Sequence, residues 1–293
     1  MKTLPVYLFL FLILSVIPAE AVEEVISGSV SYNTSDPTNT DIANWTTGWG
    51  ASGITGWNYV GEVINASGTA SGVYLGNDWV ITAGHVGSGT FSLSGSNYIM
   101  VPGSAQGITV SGTPADLTLF QITTAPVLPS LTISSTAPAH LTGFHSGDQV
   151  VMIGYGGNQG ETWGMNTVTS GSVSVTIAGY PYTTTDFETA FGTTTRGSNS
   201  ATNNAAFVLG DSGGGDFVYD SSTGTWELTG INEAIDTGTN GYMVELGVYA
   251  SQIDNITAVP EPSSFALLGI GCVALLWWGV RVPLRKRRGE WTK

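Results

Sequence analysis

The sequence predicts an all-β protein on three observations. Short apolar or alternating runs recur along the chain, clusters of Gly, Asn, Ser and Asp separate them, and no stretch of the central body sustains a helical period. With 293 residues, 42% of them hydrophobic, the chain can bury a sizeable core and is too apolar to be disordered. In order, the runs Tyr59–Ile64, Gly72–Leu75, Trp79–Thr82, Leu117–Ile122, Gln149–Gly154 and Ser172–Ile177 read as strands. Trp79–Thr82 is unbroken in its hydrophobicity, as a strand buried on both faces is. Gly76-Asn77-Asp78, just before it, is the chemistry of a hairpin turn. The Ser/Thr/Gly/Asn-rich patches at 29–56 and 193–204 read as loops, and only the stretch near Tyr249–Ile256 has the pattern of a short helix. Many short strands with turn signals between them suggest a sandwich or barrel.

Charge narrows the function classes. The net charge is −14, and between Val22 and Ala258 the only basic residue is Arg196. Such a body stays soluble by self-repulsion, draws little on ion pairs, and offers no basic face to nucleic acid. The single cysteine, Cys272, rules out a disulfide framework and a Cys-based zinc site.

The two ends differ from the body. Lys2, the apolar run Val6–Ile17, Pro18 and Ala19-Glu20-Ala21 compose a secretory signal peptide over residues 1–21, cleaved after Ala21. It implies Sec export and a signal peptidase. The body spans 22–258 and the tail 259–293. In the tail, Phe265–Val280 is continuously apolar and runs into Arg281 and the cluster Arg285–Arg288. As a helix it measures about 24 Å, short against a hydrocarbon core of about 30 Å, and the basic cluster fixes that flank in the cytoplasm.

Three segments of the body carry chemistry. Thr82-Ala83-Gly84-His85 ends a buried-type strand in a histidine, Asp116-Leu117-Thr118-Leu119 opens an alternating strand with an aspartate, and Gly210-Asp211-Ser212-Gly213-Gly214 sets a serine among glycines. A serine hydroxyl is a weak nucleophile that needs a base, and the base needs a carboxylate to fix its tautomer. His85, Asp116 and Ser212 supply nucleophile, base and carboxylate in the order His…Asp…Ser. The G-x-S-x-G reading of the same segment as a hydrolase elbow fails, because that fold needs a histidine after the serine and the three are His85, His140 and His145. His140 and His145 sit in a loop-like stretch and read as surface residues rather than metal ligands. Asp78 competes with Asp116 for the carboxylate role, but its Asn-Asp context reads as a turn.

These segments resemble the trypsin/chymotrypsin family of serine proteases over roughly residues 25–256. Thr-Ala-Gly-His is similar to its Thr-Ala-x-His, Asp-Leu-Thr-Leu to its Asp-Ile-x-Leu, and Gly-Asp-Ser-Gly-Gly matches literally. Gly154-Tyr155-Gly156 and Gly247-Val248-Tyr249 resemble two further landmarks. The resemblance implies two six-stranded antiparallel barrels and an endopeptidase acting on proteins or peptides, with no cofactor and no metal. It makes Ser212 the nucleophile, His85 the general base and acid, and Asp116 the orienting carboxylate. The backbone N–H groups of Gly210 and Ser212 become the oxyanion hole. It also places the specificity pocket at Ala206 and Phe207, with Glu233 on a pocket wall; a base without a carboxylate implies small or medium apolar residues before the cut. Val25-Ile26-Ser27-Gly28 faintly resembles the N-terminus that family zymogens expose to pair with the aspartate here numbered Asp211, but Glu24, not a basic residue, precedes it. A catalytically silent surface or matrix protein on the same fold is the competing reading, and the complete triad stands against it.

The tail resembles the PEP-CTERM sorting tag of Gram-negative bacteria: Pro260-Glu261-Pro262, the short span and the basic cluster follow in order. The resemblance implies an exosortase-type processing enzyme as partner, a transient anchor in the inner membrane, and a destination in the cell envelope or on the cell surface.

Overall fold

A computed structural model describes residues 23–26, 29–142, 146–156, 159–191, 205–236 and 240–258. The signal peptide, the 193–204 patch, His145 and the whole tail with its Pro-Glu-Pro and apolar span lie outside the described residues. Among the described residues no helix is long and apolar enough to cross a membrane.

Two short strands, β1 (Glu23–Ile26) and β2 (Ser29–Ser31), form a hairpin, so the predicted loop at 29–56 begins with a strand. The rest of that loop adds an isolated bridge from Asn33 to Trp163 and leads into a 3-10 turn at Gly56–Asn58, and it is no loose surface loop. Trp45 is fully buried, its ring edge-on to Trp49 at 5.0 Å and to Trp226 at 4.9 Å. Its indole N–H donates to Asp36 Oδ1 at 2.9 Å. In a body without disulfides this tryptophan cluster ties the N-terminal segment to the core, each ring removing about 150–250 Å² from water.

The first half of the body is a seven-stranded antiparallel sheet built from β3 (Val60–Asn65), β4 (Gly68–Gly76), β5 (Trp79–Ala83), β6 (Thr90–Leu93), β7 (Ser96–Tyr98), β8 (Gln106–Val110) and β9 (Thr113–Gln121), in the order β7-β6-β3-β4-β5-β9-β8. The hairpin between β4 and β5 turns through Asn77 (φ 51) and Asp78 (φ 66), the pair of positive φ values that a two-residue turn matched to strand twist requires. Asp78 is thus a turn residue, and β5, between β4 and β9, is buried along its whole length.

The second half closes into a six-stranded barrel, β10 (Gln149–Gly154), β11 (Thr162–Thr176), β12 (Thr183–Ala190), β16 (Asn240–Glu245), β15 (Thr225–Ile235) and β14 (Gly215–Asp220), in that order. The predicted run Ser172–Ile177 is the far end of the 15-residue β11. A register break at 170–173, with Ser172 at φ 51, bends that strand and hides its continuity from the sequence pattern. The short strand β13 (Ala205–Ala206) pairs with β1, and α1 (Leu246–Thr257) closes the body where a helix was expected.

Two six-stranded barrels are therefore not what forms: one barrel closes, and the other half is a sheet with free ladder ends. The chain after β7 does return to the end of β9, through the Met100–Ile122 bridge and the bonds Val101 N–H to Gln121 O and Thr123 N–H to Ile99 O, both 2.8 Å. The return cannot lengthen into a ladder, because Pro102 has no N–H and the chain turns there. β8 then adds a seventh strand on the outer side of β9. Across the two halves β9 packs against β12, which brings the end of β5 and the start of β9 up to the barrel.

Candidate active site

His85 and Asp116 meet because of strand register. β5 and β9 run antiparallel with Thr82 opposite Thr118 and Ala83 opposite Leu117, so the next step sets Gly84 opposite Asp116. Gly84 has to be small: a Cβ there would lie 2.9 Å from Asp116 Oδ1 and 3.1 Å from the Tyr182 ring. Asp116 is fully buried and bonds His85 twice, accepting the backbone N–H on Oδ1 and the ring Nδ1 on Oδ2, each at 2.6 Å. The His85 side chain keeps 18% exposure. Double acceptance from one residue orients the imidazole and puts its proton on Nδ1, leaving Nε2 as the basic nitrogen.

The serine segment enters from the barrel side. Gly213 (φ 86) lies so close to the first sheet that a Cβ would stand 2.2 Å from Ser71 O and 2.2 Å from Thr82 Oγ1. Only glycine permits that approach, and it brings the segment of Ser212, which is half-buried, against the strand that leads to His85. Among the described residues no hydrogen bond joins the Ser212 hydroxyl to His85. The neighbouring Asp211 is fully buried, with Oδ1 accepting Gly156 N–H at 2.6 Å and Oδ2 accepting Val208 N–H at 2.9 Å. The landmark Gly154-Tyr155-Gly156 thus acts as a backbone cradle for the turn that carries Gly210 and Ser212.

The three pocket residues fall in different surroundings. Ala206 is half-buried on β13, and Phe207 is buried among Val150, Met152, Phe187 and Met243. Glu233 has 3% exposure, and both its carboxylate oxygens accept the Thr184 hydroxyl, at 2.8 and 2.9 Å. Burial first, and then the adjacent Asp186, push the Glu233 carboxyl up to about 11. The adjacent Asp186 is buried too and shares this network with Glu233 and Thr184. Burial also raises Asp186, and the charge of Asp116 bears on both members of the pair.

Three residues beside the site carried no signal in the sequence. Ser71, buried on β4, bonds the serine segment. Tyr180 and Tyr182, at the β11–β12 turn, stack at 6.0 Å, and the half-exposed Tyr180 ring lies 5.7 Å from the His85 ring. A single serine within a strand and two tyrosines at a turn match no spacing rule; only the fold brings them here. His140 is exposed and lies near Gly171, and among the described residues no cluster could hold a metal ion.

No curated protein matches the sequence significantly. Among solved structures, the Rv3671c protease in its inactive form superposes with a TM-score of 0.50 at 19% identity, covering 69% of this chain and 91% of that one. The active form of the same protease from M. tuberculosis gives 0.49 at 18% identity, covering 71% and 84%. At such identities the likeness speaks to the fold. Residues 258–286 match the PEP-CTERM protein-sorting motif. Residues 51–256 match the trypsin family, and with that span, the His85–Asp116 pair and the closed barrel, the chain belongs to the trypsin family and carries a C-terminal PEP-CTERM sorting motif.

Proposed function

We propose that the protein is an exported serine endopeptidase that cuts peptide bonds through an acyl-enzyme. The observation that carries this reading is the doubly bonded Asp116–His85 pair, one partner buried and the other open to the surface. In the reaction, His85 Nε2 takes the Ser212 hydroxyl proton as Oγ attacks the scissile carbonyl carbon. The N–H groups of Gly210 and Ser212 hold the oxyanion, and Asp116 stabilises the imidazolium. The imidazolium proton passes to the leaving amine as the C–N bond breaks. A water, deprotonated by His85, then attacks the ester, which releases the acid and returns the proton to Ser212.

Ala206 and Phe207 form the base of the pocket for the residue before the cut, with Glu233 at its wall. Glu233 does not serve a Lys or Arg side chain, because its carboxyl is buried, shifted by burial toward the neutral form and engaged by Thr184. The preference is for small or medium apolar residues.

The PEP-CTERM match supports the routing. Residues 1–21 direct export and are removed, 22–258 form the protease, and 259–293 halt transfer in the inner membrane until an exosortase-type enzyme cuts at Pro260-Glu261-Pro262. The product belongs to the cell envelope or surface.

The missing Ser212–His85 hydrogen bond is the one observation that favours a silent protein, although such bonds are often loose before substrate binds. Fluorophosphonate labelling separates the readings: covalent modification of Ser212 that is lost in His85→Ala supports the peptidase, and an unmodified wild-type protein refutes it.

A further inference from the structure

We infer that Ser71 is a positioning residue for the oxyanion hole, holding from the opposite half of the molecule the carbonyls of Gly210 and Ser212, in the peptide planes that directly follow the two donor N–H groups. The inference rests on the serine-endopeptidase reading above. Ser71 sits on β4 of the first sheet, separated by well over a hundred residues from the segment it holds, and is fully buried. Its backbone N–H donates to Ser212 O at 2.9 Å, and its hydroxyl donates to Gly210 O at 3.1 Å. The same hydroxyl accepts the Tyr155 N–H at 2.8 Å, and its carbonyl accepts the Thr82 hydroxyl at 2.7 Å.

The direction of these bonds follows from the groups. Tyr155 N–H can only donate and Gly210 C=O can only accept, so the single hydroxyl proton must point at Gly210. Both carbonyls bracketing Asp211 are thereby tied to one residue. Gly210, at φ 101, has no side chain to hold its orientation, and its conformation is set by what its peptide groups bond. Asp211 is anchored from the other side, on Gly156 N–H. Tyr155 and Gly156 therefore bond Ser71 and Asp211 respectively, and the turn is gripped between β4 and the end of β10. Thr82 joins the same network three residues before His85, so the grip also registers the serine segment against the base.

A donor in an oxyanion hole matters in proportion to how well it is placed before the charge develops. Loss of the Ser71 hydroxyl, on a fully buried residue, removes the acceptor for Tyr155 and the donor for Gly210, and the turn must shift to satisfy them. The effect belongs on transition-state stabilisation and not on substrate binding.

The test compares wild type, Ser71→Ala and Ser71→Thr, which keeps the hydroxyl, on a peptide substrate. Each is also measured for binding of a peptide boronate, whose tetrahedral adduct occupies the hole, and of a product peptide, which does not. The expected result for Ser71→Ala is a fall of roughly 10- to 100-fold in kcat with KM within about twofold, a matching loss of boronate affinity, and unchanged product binding. Ser71→Thr recovers most of the loss. Ser71→Cys, of similar size with a poorer donor and acceptor, serves if the alanine variant does not fold. Wild-type kcat in the alanine or cysteine variant, or equal losses for boronate and product, overturns the inference while leaving the peptidase reading intact. An unlabelled, inactive wild type overturns both.

Discussion

Asp116 accepts the backbone N–H of His85 on one oxygen and the ring Nδ1 on the other, both at 2.6 Å, so a single buried carboxylate fixes both the position and the tautomer of the imidazole. Asparagine at this position keeps the first bond and reverses the second. Its oxygen accepts the His85 N–H, and its NH₂ then donates to Nδ1, which forces the ring proton onto Nε2. Asp116→Asn is expected to fold normally and to lose about 10⁴ in kcat, the scale of the same change in the family's mechanism. Ser212→Ala and His85→Ala should each abolish hydrolysis, since members of one catalytic unit do not act additively. Steady-state kinetics with circular dichroism checks these outcomes; near-normal turnover in any of the three would remove that residue from the mechanism.

Cleavage-site profiling with a peptide library is expected to show small or medium apolar residues before the cut. The reason is chemical: Ala206 and Phe207 carry no charge, and burial disfavours the charged form of Glu233. Strong selection of Arg or Lys would mean that a carboxylate other than these reaches the pocket.

Stability should fall as pH rises, against the habit of acid-rich proteins. Burial, with a smaller contribution from Asp36, pushes Glu161 up to about 9, while the Tyr155 hydroxyl bonded to it at 3.0 Å works the other way. Asp216, fully buried with neither carboxylate oxygen bonded, is raised well above its usual range, by burial first and then by Asp211. Between the usual carboxylate range and about pH 9 the folded state therefore holds protons that the unfolded chain has lost, and stability declines with rising pH across that window. Thermal melts should give a lower Tm at pH 8.5 than at pH 5.5, with a shallower slope in Glu161→Gln. A Tm that climbs with pH would contradict the raised carboxyls.

Trp45→Ala should cost about 3–5 kcal/mol in urea unfolding, because it opens a cavity among Trp49, Phe217 and Trp226. A loss under 1 kcal/mol would show that the N-terminal segment contributes little to the core.

Glu261→Ala should block processing of the tail and leave a membrane-bound chain. On the proposed routing, Pro260-Glu261-Pro262 is the motif that the exosortase-type enzyme cuts. Mass spectrometry of the surface protein should find chains beginning near Val22 and ending near Pro-Glu-Pro. Recovery chiefly of chains ending at Lys293 would leave a simple anchor.

Much of the fold was legible because its signals are local. β10 spans the residues predicted for it, the Asn77-Asp78 turn has the dihedrals that its composition demands, and α1 falls where a helical pattern stood out. Local signals also mislead. The patch from 29 to 56 is polar in composition and reads as a loop, but it carries Trp45 and Trp49, and both turn inward. β11 was seen only at its far end, since the bulge at 170–173 breaks the alternation that marks a strand.

By itself the sequence determined the all-β class, the order His85, Asp116, Ser212, and the division into two apolar ends and an acidic body. These depend on residue types at short range, on the period of side chains along a strand and on what a turn permits. Tertiary structure alone decided that one half closes as a barrel while the other ends in a single bridge at Met100–Ile122. It also decided that Glu233 lies buried against Thr184 and Asp186, and that Ser71 holds Gly210 and Ser212. The physical reason is that each of these is a hydrogen bond between residues far apart in the chain. Its partner is chosen by strand register and by the packing of one sheet on another, and neither leaves a trace in the spacing of the residues concerned.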